Sequence, residues 1–174
     1  MKKYILTLVI LLCTYPSYSL HAFTSTEGGF SIKMPGDPTL QKVDHKSVVG
    51  KVKENTYTLK TATEEWSVSY TPLPKIALSL ESNKALLNKA KEGFLKDTGA
   101  QVIRFEKIKF QGKEARDLTF QIPAQDDESA RVGKARFMLS DGKIYVLVGS
   151  SSKKVEMAAD LIEKYLDSFQ FLAQ

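Results

Sequence analysis

Between Phe30 and Val148 the chain is built of short runs in which apolar and polar residues alternate, interrupted once by a stretch of helical period. In "FSIKM", Phe30, Ile32 and Met34 alternate with Ser31 and Lys33, and the Pro-Gly-Asp-Pro turn at 35–38 closes the run. This predicts a half-buried strand. Thr39 to Val49 is polar with fainter alternation, the pattern of an edge strand. Thr56 to Leu59 and Trp66 to Tyr70 predict two more strands. In the second, Trp66, Val68 and Tyr70 share one face and Ser67 and Ser69 the other, and Pro72 and Pro74 stop it.

From Ser82 to Thr98 the period changes. Leu86, Leu87, Ala90 and Phe94 fall on one helical face, with Ser82 as N-cap and Gly99 as C-terminal stop. Two strands around Gln111-Gly112 follow, then a hairpin turning at Asp141-Gly142. Tyr145 to Val148 is nearly all apolar and belongs in the middle of a sheet. A last helix is predicted from near Ser152, with Val155, Ala158, Ala159, Ile162, Leu166 and Phe169 marking its buried side. Consecutive strands joined by short turns, with two helices among them, give the α+β class: one domain, an antiparallel β-sheet covered by helices.

The N-terminus has a different pattern. Lys2 and Lys3 precede an apolar run from Tyr4 to Thr14, Pro16 breaks it, and small residues follow. This predicts a secretory signal peptide over residues 1–22 and a folded domain over 23–174. The apolar run is about half the ~20 residues that a membrane span needs, so no stable membrane insertion is expected after cleavage. Ser17 and Ser19 suit a cut after Ser19; Ala22 suits a cut after itself. The product is expected to be periplasmic or secreted. Cys13, the only cysteine, sits inside the apolar run after Leu11 and Leu12, which is not the setting of a lipidated cysteine. The domain is then left without a disulfide, a thiol nucleophile or a thiolate metal site.

Composition adds a core and little else. At 174 residues and 43% hydrophobic the chain suits one packed domain. The net charge is +5, and removing Lys2 and Lys3 with the leader leaves +3 (5 − 2). Lys and Arg are interleaved with Asp and Glu, not gathered into a stripe, so no nucleic-acid partner is expected.

A strand ending in Met-Pro-Gly-x-Pro, the aromatic strand "WSVSYTPLP", a helix, "QGKEARDL", "ARFMLSDGKIYVLVG" and the closing "YLDSFQF" come in an order similar to that of PsbP-like secreted bacterial proteins of the PsbP/DcrB type. The resemblance spans roughly residues 23–172. It implies the PsbP-like αβα sandwich, an antiparallel sheet between helices. It implies no single function and no shared set of functional residues; relatives are mostly accessory or binding proteins without catalytic activity.

Candidate chemistry is sparse. His45 is the one histidine sure to survive processing, and in "KVDHKSV" it has no evident companion ligands or nucleophile. Asp126, Asp127 and Glu128 form a candidate cation loop, but the 12-residue calcium-loop pattern is missing and a solvated loop is the simpler expectation. Ser151, Ser152 and Lys153 in "GSSSKK" form a candidate anion site at a helix N-terminus, where a serine cap is the simpler expectation. Arg104, Arg116, Arg131 and Arg136 lie on predicted strands beside Glu106, Glu114 and Asp117, which favours ion pairs over an anion patch. Trp66, Tyr70 and Tyr57 are expected in the core ahead of a ligand groove. No catalytic residue, metal ligand set or cofactor is predicted. The expectation is an exported, non-catalytic accessory or binding protein of the cell envelope with a protein partner there. The alternative is a small-ligand or cation carrier using a cleft between sheet and helix. A hydrolase would need a nucleophile and a base, which one histidine supplies poorly.

Overall fold

The computed structural model describes residues 20–47, 50–124, 129–152 and 155–173, and no side chains of residues 45–51 or 153–158. The leader up to Ser19, the Asp126-Asp127-Glu128 loop, Lys153 and the side chains of His45, Val155 and Ala158 lie outside the described residues.

The elements in chain order are β1 (His21–Ser25), β2 (Phe30–Met34), β3 (Thr39–Ser47), β4 (Gly50–Lys60), β5 (Glu64–Pro72), α1 (Lys75–Leu80), α2 (Asn83–Thr98), β6 (Gln101–Phe110), β7 (Lys113–Ile122), β8 (Arg131–Ser140), β9 (Lys143–Ser151), α3 (Val155–Asp167) and β10 (Gln170–Phe171). Seven strands form one antiparallel sheet in the order β3-β4-β5-β9-β8-β7-β6. β9 is the middle strand, as its apolar run predicts, and β3 is an edge. The turns 111–112 and 141–142 have φ of 48° and 76°, and of 50° and 71°. Those values are the left-handed pairs of a two-residue hairpin, which glycine tolerates at the second position and Gln111 and Asp141 occupy at the first. Ser82 caps α2, its Oγ accepting from the Ala85 N–H at 3.2 Å, and Gly99 ends it at φ 66°.

β1, β2 and β10 form a second, three-stranded antiparallel sheet. Together with α3 it packs on one face of the large sheet, so this side of the sandwich is part helix and part sheet. Its core joins Phe30, Ile32 and Met34 to Trp66, Val68, Tyr70, Tyr145 and Leu147 from the sheet and Ile162, Tyr165, Leu166 and Phe169 from the C-terminal segment. Phe30 stacks on Phe169 at 5.4 Å and meets Tyr70 and Tyr145 edge-on. Trp66 and Tyr70 are core residues, as expected. β1 begins two residues inside the segment assigned above to the leader: His21 pairs with Met34 and Ala22 with Lys33.

On the opposite face α2 packs on a second core of Leu87, Leu118, Phe120, Ala135 and Phe137. The four arginines on the strands form ion pairs. Arg104 binds Glu106, Arg116 binds Glu114, and Arg131 binds Glu65 at 2.9 Å. Arg136 grips both oxygens of Asp117 at 2.8 and 2.9 Å and reaches Asp167 of α3 at 2.8 Å, with its guanidinium 4.6 Å from the Phe110 ring centre. Burial opposes the charge on Arg136, but the bonds to Asp117 and Asp167 outweigh it and raise its pKa.

Candidate functional site: a cleft between sheet and helix

Seven strands at about 4.8 Å spacing make a sheet about 29 Å wide, while one helix with its side chains covers about 10–12 Å. The face carrying α3 is completed by the small sheet. Among the described residues the other face carries only α2 and the short α1. Phe94 of α2 lies 5.0 Å from Phe120 of β7 and 6.0 Å from Phe137 of β8, so α2 is centred over that half. The matching face of β4, β5 and the near side of β9 is left open by the described residues. The result is a cleft of about 510 Å³ between sheet and helices.

Its floor is divided lengthwise. β9 contributes Ile144, Val146 and Val148. β5, paired with it, contributes Ser67 opposite Val148, Ser69 opposite Val146 and Thr71 opposite Ile144. One row is apolar and the next is a row of hydroxyls at two-residue spacing, about 7 Å apart. Among the described residues, Ser67, Ser69, Thr71 and Ser150 make no side-chain hydrogen bond, although Ser69 and Ser150 are 6% and 3% exposed. The apolar wall is Leu86, Ala90 and Phe94 of α2.

Two glycines shape this space in opposite ways. Gly133 is tight: a Cβ there would stand 2.5 Å from the Gly149 carbonyl oxygen and 2.7 Å from the Phe120 ring. Its absence lets that ring lie across β8 to the cleft. Gly93, in α2 and lining the cleft, is loose: a Cβ there would meet nothing within 4 Å.

Charge in the lining is mostly negative, with Glu54, Glu65, Glu81 and Asp97 against Lys89. Lys89 is held by Glu81 at 2.7 Å, and Glu65 by Arg131.

Of the candidate site residues singled out from sequence, those that are described lie outside this lining. Ser151 ends β9 opposite Glu64, and Ser152 donates its amide to Thr63 O at 2.9 Å and its hydroxyl to the same oxygen. Ser151 is thus part of the β5–β9 ladder and Ser152 bonds just beyond it, while residues 153 and 154, between Ser152 and the start of α3 at Val155, lie outside the described residues. Among the described residues no cluster of three or more His, Cys, Asp or Glu side chains is placed to hold a metal, and no helix is long and apolar enough to cross a membrane.

A family model described as PsbP matches residues 18–171. The fold is similar to that of cyanobacterial PsbP (CyanoP) from Synechocystis sp. PCC 6803, with a TM-score of 0.59 and 18% identity over 88% of this chain and 93% of that one. It is also similar to the Saccharomyces cerevisiae Ran-binding protein Mog1p, with a TM-score of 0.52 and 10% identity over 90% of this chain and 97% of that one. At these identities the likeness is one of fold. No protein of curated function matches the sequence.

Proposed function

The chain belongs to the PsbP family, and from that premise we propose that it is an exported, non-catalytic binding protein of the bacterial cell envelope whose binding site is the cleft over β4, β5 and β9. The observation that carries this is the cleft itself. Its 510 Å³ falls within the range of small-molecule sites, and its apolar floor with a few polar groups is the usual lining of one. Binding without catalysis is supported by the chemistry of that lining. Among the described residues the hydroxyls of Ser67, Ser69, Thr71 and Ser150 have no base in hydrogen-bonding contact, Thr56 alone donates to a lining carboxylate, Glu54 at 3.3 Å, and no histidine or cysteine lines the cleft. Export is supported by the basic, apolar and small-residue succession of residues 1–22.

The test is a thermal-shift screen of the processed protein against small amphiphiles and metabolites, repeated with Gly93→Leu. A ligand held at 100 times its Kd stabilises the fold by about 2.7 kcal/mol, which raises Tm by about 5–10 °C in a domain of this size. The expected result is a shift in the wild type that is lost when a leucine occupies the cleft. A screen without shifts, or shifts indifferent to Gly93→Leu, contradicts the proposal.

A second reading, an accessory factor that docks on an envelope protein, is favoured by the two sheet edges. β3 exposes Leu40 and Val43, and β6 exposes Val102 and Ile103 beside a bulge between Val102 and Arg104. Such edges can add a strand from a partner. In-cell crosslinking with the tagged protein tests this: a reproducible partner lost on Val43→Lys supports it, and recovery of the protein alone at good crosslinking yield contradicts it.

A further inference from the structure

The cleft has a direction as well as a divided floor. Phe94, Asp97 and Thr98 bring the last turns of α2 to the end of the cleft where Phe120 and Ser150 lie. A helix carries about half a negative charge at its C-terminus. Asp97 stands in that last turn and makes no ion pair among the described residues. Lys96, in the same turn, is exposed and lines no part of the cleft. Of the other carboxylates in the lining, Glu65 is neutralised by Arg131 and Glu81 by Lys89, and Glu54, on β4, accepts from the Thr56 hydroxyl. An exposed carboxylate without an ion pair among the described residues, that of Asp97, therefore stands in the lining where α2 ends.

We propose that the cleft takes an elongated amphipathic amine, with its apolar body along Ile144, Val146 and Val148 and its ammonium group beside Asp97 at the end of α2. This rests on the cleft being the binding site. The unpartnered hydroxyls of Ser67, Ser69 and Thr71 run beside the apolar row and suit hydroxyl or amide groups along one edge of such a molecule. An anionic amphiphile of the same body meets the Asp97 carboxylate and the helix C-terminus with the wrong sign.

The experiment is calorimetric titration of the processed protein with three probes of one chain length: decylamine, decan-1-ol and decanoate, below their aggregation limits, at pH 7 and low salt. Decylamine is an ammonium ion at that pH. The expected order is decylamine, decan-1-ol, decanoate, with about a tenfold span between the ions, equivalent to about 1.4 kcal/mol. In Asp97→Asn that span shrinks to less than about threefold, the loss falling on decylamine more than on decan-1-ol; in wild type it also shrinks at high salt. Equal binding of the three probes, or an amine preference that survives Asp97→Asn, overturns the charge assignment and leaves the cleft as the site. If none of the probes binds, or if binding persists in Gly93→Leu, the binding-site proposal fails and this inference with it.

Discussion

Replacing glycine by alanine at two positions should change stability in opposite directions. Gly93 is inside α2, where glycine is less favourable than alanine by about 0.5–1 kcal/mol, in part because it leaves the unfolded chain freer. Nothing within 4 Å opposes the added methyl group. Since the methyl projects into open space, it neither clashes nor gains much burial, and the helix term stands alone. Gly93→Ala should therefore raise stability by about 0.5–1 kcal/mol, or about 1–4 °C in Tm. At Gly133 the same methyl would stand 2.5 Å from a carbonyl oxygen and 2.8 Å from Ser150 Cβ. Two central strands and the Phe120 ring must then move, at a cost of about 2–3 kcal/mol or more. Urea unfolding with paired m-values measures both, because an unchanged m assigns the difference to stability and not to altered compactness. Loss of more than about 0.5 kcal/mol in Gly93→Ala would refute the reasoning, since the cleft would then not be open at that wall.

Other predictions concern the face that carries α3, the tyrosines and the N-terminus. Arg136→Ala should cost about 3–5 kcal/mol in urea unfolding, because it strands Asp117 beside a buried site, whereas Asp167→Asn, at a carboxylate 64% exposed, should cost less than about 1 kcal/mol; equal costs would contradict the geometry. Burial, with Asp141 adding to it, pushes the Tyr145 hydroxyl up to about 12, and burial also raises Tyr165 well above its ordinary value. A folded pKa above the unfolded one gives stability that is complete below about pH 10 and lost as pH rises through 12. Unfolding midpoints should thus be flat from pH 7 to about 9.5 and fall above 10, with a shallower fall in Tyr165→Phe; midpoints unchanged to pH 12 would contradict this. Mass spectrometry of the exported protein should find a cut after Ser19, which leaves β1 whole; a cut after Ala22 removes the His21–Met34 and Ala22–Lys33 pairs of the small sheet.

Most of the large sheet was legible because its strands alternate cleanly and its turns use residues that tolerate positive φ. The edge position of β3 and the central position of β9 followed from polarity alone. Three elements were not foreseen. β1 begins within the segment read as leader, so "HAFTS" has no pattern of its own apart from its pairing with β2. β10 is two residues long and exists because Gln170 and Phe171 meet Ser31 and Phe30. α1 follows Pro72 and Pro74, and with only Ala77 buried it shows no apolar stripe. The cleft left a trace that went unread. Ser67, Ser69 and Thr71 give β5 a polar second face although β5 is an interior strand, and an interior strand covered on both sides is apolar on both. That polarity signals an uncovered strip, but where α2 sits is decided by packing of Phe94 against Phe120 and Phe137, which no local pattern reports. The two acidic and serine clusters drew attention by composition, yet Ser151 and Ser152 are taken up by the strand end.

The central claim is that the cleft over β4, β5 and β9 is where this protein binds. Its most direct test is an amide ¹H–¹⁵N spectrum of the processed protein followed through titration with decan-1-ol, a probe without charge. The account predicts saturable shifts concentrated at Ser67, Ser69, Val146, Val148 and Gly93, with β3 and β6 unmoved. Shifts confined to the edge strands, or spread evenly over the surface without saturation, would contradict it.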